Sequence, residues 1–370
     1  MSRIKQKISL LSATAVLAVA ASVRADSIKL TNGLTYDPVI ILGVSDGAVR
    51  FQMRSGSTVS KSISELALVS ISGDNNFTLA EGLFEQGRNA EAEKAYSTAR
   101  GLATDAWKKT LIDYRLLAVS DSAGQIDKAT ARWLKIVDDA DASFGVLAMR
   151  PKKLAPAQSK ANDTAITLLK GKIEETTSDA CARAIRQLLV DLYERQGQLA
   201  QARAEVVKLA GKSETPGAKP SNAATTRQGT PPIGSSDVQL RLASLSFKEG
   251  KFEQVVGQLQ PKMKHLIDDD LPSAMLLLGR AKLELSKQTP DKSVAEKMLL
   301  EAGLDLMRVV VFFGAGDEAP HALLSAGRVN ERLGNAEAAK AAYSDVVKMF
   351  AQSPAAKEAK KALETMKIRE

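Results

Sequence analysis

The sequence predicts a mostly α-helical protein: a solenoid of stacked helix pairs preceded by a small five-stranded β-barrel. Three observations predict it. Over residues 26–72 apolar and polar residues alternate in short runs, separated by Asn32-Gly33, Asp46-Gly47 and Ser55-Gly56. From Phe77 onward the apolar period lengthens from two to about 3.6 residues. A glycine-led pattern also occurs near both ends of the helical part: "GRNAEAEKAYSTA" at Gly87–Ala99 and "GNAEAAKAAYSDVV" at Gly334–Val347. Of the 370 residues, 44% are hydrophobic but only 4% aromatic, so alanine carries much of the apolar content and favours closely packed helices.

The first 25 residues read as a secretory leader rather than as fold. Arg3, Lys5 and Lys7 form a basic start, and Leu10–Ala21, "LLSATAVLAVAA", is an apolar run too short for a mature membrane span. Val23 and Ala25 are small residues before an expected cut between Ala25 and Asp26. An uncleaved anchor is the alternative. No later segment approaches the length of a membrane-spanning run, so no stable insertion is expected after cleavage. Losing the leader leaves 47 basic against 43 acidic side chains, a net of +4 instead of +8, which argues against a nucleic-acid partner. The expected location is periplasmic or extracellular.

Residues 26–73 form the expected β-domain. Strands are expected near 27–31, 35–44, 47–54, 57–63 and 66–71, because Asn-Gly and Asp-Gly supply the positive φ of tight hairpin turns. Closure into a barrel would remove exposed edges. The stretch "LTNGLTYDPVIILGVSDGAVRFQMRSG" resembles an Sm-like small barrel.

Two helical blocks are expected next, over 75–212 and 238–368. Breaks fall at Gly87, Gly124, Gly197, Gly250 and Gly334. Five residues after each lies Ala92, Ala129, Ala202, Val255 or Ala339; nine after, Tyr96, Trp133, Val206, Leu259 or Tyr343. A small residue lets two helices cross closely, and the larger one fills the space beside it. This pattern resembles tetratricopeptide repeats, degenerate in the middle. Gly124 to Gly197 spans about two such repeats, so a weak helix pair is expected around 130–180. Leu276–Phe313 reads as a further unit with a lengthened turn at Gln288–Lys292. Between the blocks, Ser213–Asp237 is too poor in apolar bulk to build a core and is expected to be a disordered loop. Met149–Asp163 is expected to be a shorter exposed loop.

No motif for chemistry emerges. His265 and His321 are the only histidines and Cys181 the only cysteine. Neither a triad nor a zinc spacing is present, nor a phosphate loop. Asp138–Ser143 and Asp268–Asp270 lack the alternation of a calcium loop. No catalytic, cofactor-binding or metal site is expected, no cofactor, and no enzyme.

What remains is a surface. In a helical solenoid the first helix of each pair lines the concave side. Counting back from the glycines places Glu81 and Glu85 there in the first unit, Asp191, Glu194 and Arg195 in a middle unit, and Arg280, Arg328 and Arg332 in the last two. These are the expected partner-binding residues. Acidic near one end and basic near the other suits an extended peptide or a helix of another protein. Arg328 and Arg332, one turn apart, suit a carboxylate.

The final unit, with Tyr343, Val347 and Pro354, looks similar to repeats in periplasmic envelope-assembly and cell-division coordinator proteins of Gram-negative bacteria. That resemblance implies an exported scaffold binding a protein or peptide in the cell envelope. The alternatives are an RNA- or ligand-binding module acting through the barrel, and an accessory subunit of an envelope enzyme.

Overall fold

The computed structural model describes residues 26–139, 143–210, 235–266 and 270–369. The leader expected over 1–25 lies outside them. So does the loop expected over 213–237, apart from 235–237, which begin a helix. The acidic clusters at Asp138–Ser143 and Asp268–Asp270 are described only in part. Among the described residues 69% are helical, in 15 α-helices and two short 3-10 turns that accompany one five-stranded antiparallel sheet. Contacts divide it into two compact units, one ending at Val119 and the other beginning at Ser120.

The first unit begins with β1 (Asp26–Leu30), β2 (Thr35–Ser45), β3 (Ala48–Met53), β4 (Thr58–Ser62) and β5 (Leu66–Ser70). All five lie where the alternation places them, but the expected closed barrel is not formed. The sheet order is β4-β3-β2-β1-β5, so β4 and β5 are opposite edges of an open sheet. A 3-10 turn at Ile63–Glu65 carries the chain from one edge to the other, held by a capping box between Ser62 and Glu65. The edges are managed without closure. β4 is short and polar, reading Thr-Val-Ser-Lys-Ser, and β5 packs against a helix. Ile28, Val39, Val49, Phe51 and Val69 fill the buried face.

Helices α1 (Asn75–Glu85) and α2 (Asn89–Leu102) follow as a hairpin, and α3 (Ala106–Ser122) runs across the boundary between the units. Asp74 caps α1 by accepting from the Phe77 N–H at 2.9 Å. Gly87 ends the α1 turn at φ +73°, a left-handed conformation that a residue with a Cβ adopts only at a cost. Ala92 and Tyr96 are both fully buried, and Tyr96 meets Phe77 edge-on at 5.8 Å.

The second unit holds α4 (Ile126–Asp139), α5 (Phe144–Leu147), α6 (Lys160–Glu175), α7 (Asp179–Arg195), α8 (Leu199–Ala210), α9 (Ser235–Lys248) and α10 (Phe252–Leu259). It continues with α11 (Leu271–Gln288), α12 (Lys292–Phe312), α13 (Ala319–Arg332), α14 (Ala336–Met349) and α15 (Pro354–Arg369). The hairpins α7/α8, α9/α10 and α13/α14 turn at Gly197, Gly250 and Gly334, all at positive φ. The residues five and nine after each break are buried as the spacing requires: Ala202 and Val206, Val255 and Leu259, Ala339 and Tyr343. The pair expected in the middle takes the form of α4 packed on α6. Helices α11 and α12 form the unit with the lengthened turn, closed by Asp291, whose carboxylate accepts from the Ser293 and Val294 N–H groups.

One expectation for this unit holds only in part. The segment 149–163 is a loop as far as Ser159, with Lys152, Lys153, Pro156, Ala157 and Gln158 exposed, but Pro151, Ala155 and Asn162 are buried. The N–H groups of Lys152 and Lys153 both donate to Asp121 Oδ1 at 2.9 Å, and Asn162 Nδ2 donates to the Pro156 carbonyl at 3.0 Å. These hydrogen bonds tie that part of the segment to its neighbours. Its last residues, from Lys160, open α6.

Candidate functional site

The first helices of three successive helix pairs in the second unit, α9, α11 and α13, line a cleft of about 510 Å³. α9 contributes Asp237, Leu240, Arg241 and Ser244; α11 contributes Ser273, Leu276, Leu277 and Arg280. Both sets have the spacing i, i+3, i+4, i+7, which puts them along one helix face. Asp317, Glu318 and His321 join from the start of α13. Leu240, Leu276 and Leu277 supply the apolar part of this lining.

The charges are unevenly distributed. Asp237 is the third residue of α9, and Asp317 and Glu318 precede α13, so the acidic groups gather at helix N-termini, where negative charge is favoured. Glu318 Oε1 accepts from Ser273 Oγ at 2.5 Å. Burial pushes the Asp237 carboxyl above its ordinary range, as does Asp270, while Arg241 and Arg150 oppose the rise. Arg241 is committed to Asp191, with Glu194 at 3.8 Å.

Arg280 differs. Its guanidinium carbon lies 4.9 Å from the centroid of the Phe247 ring, a cation–π stack. Burial lowers its pKa first, and the charge of Arg328 lowers it further, with Glu358 and Glu284 pulling the other way. Among the described residues it has no hydrogen-bond acceptor and no carboxylate within ion-pair distance.

The residues expected from sequence divide between the units. In the first, Glu85 is exposed and pairs with Lys29 at 2.9 Å. Glu81 does not face a groove, and the expectation is corrected: it is 1% exposed. Its carboxylate accepts from Tyr96 Oη at 2.5 Å, from the Val69 N–H at 2.7 Å and from Arg115 Nη2 at 2.7 Å, while Arg115 Nη1 donates to the Leu66 carbonyl at 3.1 Å. This cluster joins β5 to α1, α2 and α3. Desolvation drives Glu81 to find partners inside the fold.

In the second unit Asp191, Glu194 and Arg195 do meet, lining a polar recess with Lys152, Leu154 and Lys248. Their charges are internally matched: Asp191 with Arg241, Glu194 with Lys248, and Arg195 Nε on the Ala155 carbonyl at 3.0 Å. Arg328 is exposed and pairs with Glu358 at 2.6 Å, and Arg332 Nη2 lies 3.5 Å from the Ser286 carbonyl. Only Arg280 of the expected set lines the cleft. Asp237, Arg241, Ser273, Asp317, Glu318 and His321 were missed, although the repeated i, i+3, i+4, i+7 spacing on α9 and α11 was readable.

Among the described residues no group of three or more His, Cys, Asp or Glu side chains stands close enough to hold a metal, and Cys181 is buried. No helix among them is long and apolar enough to cross a membrane.

No protein-family model matches the sequence, and no curated protein matches it. Among solved structures, one similar chain is a tetratricopeptide repeat protein from Parabacteroides merdae ATCC 43184, at 10% identity and a TM-score of 0.45, covering 79% of this chain and 97% of that one.

Proposed function

We propose that the protein is an exported, non-catalytic scaffold that holds an extended segment of another envelope protein in the α9–α11–α13 cleft. Arg280 carries this reading. A half-buried cation without an anion is costly, and a carboxylate from outside the chain relieves it. The leucines beside it suit an apolar neighbour in the same segment. The acidic groups at the other end suit a basic residue further along. The helix pairs with glycine turns and small–large packing positions support a tetratricopeptide-like scaffold. Export is supported by the basic start, the short apolar run and the small residues before Ala25.

Fluorescence anisotropy with labelled peptides carrying a Glu-Leu-Leu-Lys core tests the binding. The Glu→Gln peptide and Arg280→Gln should each weaken binding about tenfold, and together no more than either alone, as for two halves of one contact. Additive losses, or no loss with Arg280→Gln, reject the assignment. N-terminal sequencing of envelope fractions tests export: a start at Asp26 supports it, and a cytoplasmic chain retaining Met1 rejects it.

A further inference from the structure

Helix α12 is apolar on two sides. Leu299, Ala302, Leu306 and Val309 are buried against Leu283, Ala326 and Val329. On the other side Leu300, Leu304, Met307 and Val311 are 54%, 60%, 41% and 67% exposed. A helix apolar all round is ordinarily buried all round. The exposed stripe has spacings of four, three and four residues, the seam of a two-stranded coiled coil and narrower than a core-facing stripe.

The charges beside the seam say what covers it. Glu301 follows Leu300 and Arg308 follows Met307, so both flank the seam on the same side. Their side chains are 43% and 55% exposed. Within the chain they reach Lys282 at 3.2 Å and Asp305 at 3.4 Å, and Lys282 is held independently by Asp305 at 2.9 Å. An antiparallel second copy, related by a twofold axis between residues 305 and 306, sets Leu304 on Met307 of the second copy and Leu300 on Val311 of the second copy. It also sets Glu301 beside Arg308 of the second copy, and the symmetry makes that ion pair twice. A parallel copy instead sets Glu296 against Glu301 of the second copy, a like-charge contact. A membrane surface would favour a cationic band along the stripe, whereas these flanks are of mixed sign.

We propose that α12 pairs antiparallel with α12 of a second copy of this chain, through the Leu300–Leu304–Met307–Val311 seam and reciprocal Glu301–Arg308 contacts. The inference stands independently of the peptide cleft. Four seam positions make a small interface, so dissociation is expected in the range of about 1–100 μM.

Sedimentation velocity over a wide concentration range, on the protein purified as the cell leaves it, is the test. The wild type should show a monomer–dimer equilibrium, and Leu304→Glu, at an exposed position, should be monomeric throughout. Glu301→Arg and Arg308→Glu should each weaken the dimer about tenfold, and the double swap should recover most of that loss. Circular dichroism checks that each variant folds; if a charge variant does not, the wild type and Leu304→Glu decide alone. A wild type that stays monomeric at the highest concentration overturns the proposal. In that case, pelleting with phosphatidylglycerol vesicles would assign the stripe to lipid. A double swap no better than the singles also overturns it.

Discussion

Gly327 and Tyr343 occupy one space: a Cβ on Gly327 would stand 2.7 Å from Cδ1 of the Tyr343 ring. The ring lies across α13 where only a glycine leaves room, and its hydroxyl donates to Glu331 Oε2 at 2.5 Å. Gly279 does the same for Leu306, with Cγ at 2.7 Å. Two hairpins thus set their helix crossing by a missing side chain.

Gly327→Ala should therefore destabilise by about 1–3 kcal/mol, because displacing a packed ring outweighs the roughly 1 kcal/mol that alanine gains over glycine in a helix. Gly303→Ala should do the opposite. Its added methyl would meet Val329 Cγ1 at an ordinary 3.5 Å, so the helical gain of about 0.5–1 kcal/mol should survive. Urea denaturation of the two variants tests the opposite signs.

Glu81→Gln should cost about 3–5 kcal/mol, since it leaves Arg115 buried without its counter-charge. Glu81→Leu combined with Arg115→Met should recover only part of that loss: it removes the unpaired buried charge but leaves the Val69 N–H, the Tyr96 hydroxyl and the Leu66 carbonyl without these partners. Chemical denaturation of the single and double variants measures both. A small effect of Glu81→Gln would return that residue to the surface.

Burial raises the phenol pKa of Tyr96, and the neighbouring Glu81 charge raises it further. Burial does the same for Tyr343, with help from its hydrogen bond to Glu331. Both stay protonated in the folded chain at pH values where the unfolded chain ionises them. Their contribution is whole below the unfolded value of about 10 and declines as pH rises beyond it toward the raised folded values, by about 1.4 kcal/mol per pH unit for each group. Melting between pH 9 and 11 (roughly the span across that unfolded value) should show the loss, and Tyr343→Phe should make it shallower.

Reversing Arg328 and Arg332 together to glutamate should change stability by no more than about 1 kcal/mol, because exposed ion pairs contribute little. Arg328 and Glu358 are 45% and 54% exposed. Thermal melts settle it; unfolding would make both arginines structural.

The helix pairs were legible because glycine, small and large residues recur at fixed spacing, and that spacing is the packing. The strands were legible because Asn-Gly and Asp-Gly punctuate a period of two. Sheet closure was not, since strand number says nothing about whether β4 reaches β5; the Ser62–Glu65 turn decides that. Glu81 was misread as surface because charge was weighed above position. It stands four residues after the buried Phe77 and beside the buried Ala80, on the apolar stripe. Arg280 was found, but its lack of an anion depends on long-range neighbours. The cleft residues of α9 and α11, Asp237 and Ser273 or Arg241 and Leu277, repeat at one common offset that Asp317, Glu318 and His321 do not share; each helical spacing is readable, but that the two faces meet shows only once α9 and α11 are set side by side.

In the second unit the helices from α7 to α15 pack on their neighbours in chain order, with the first helices of successive hairpins touching as well. Order in such an array spreads from neighbour to neighbour instead of being held in common. Amide hydrogen exchange should therefore be graded along the chain. A lesion at Gly327 should speed exchange in α13–α15 while leaving the amides of α7 and α8 slow. A single melting temperature would average over segments that open separately.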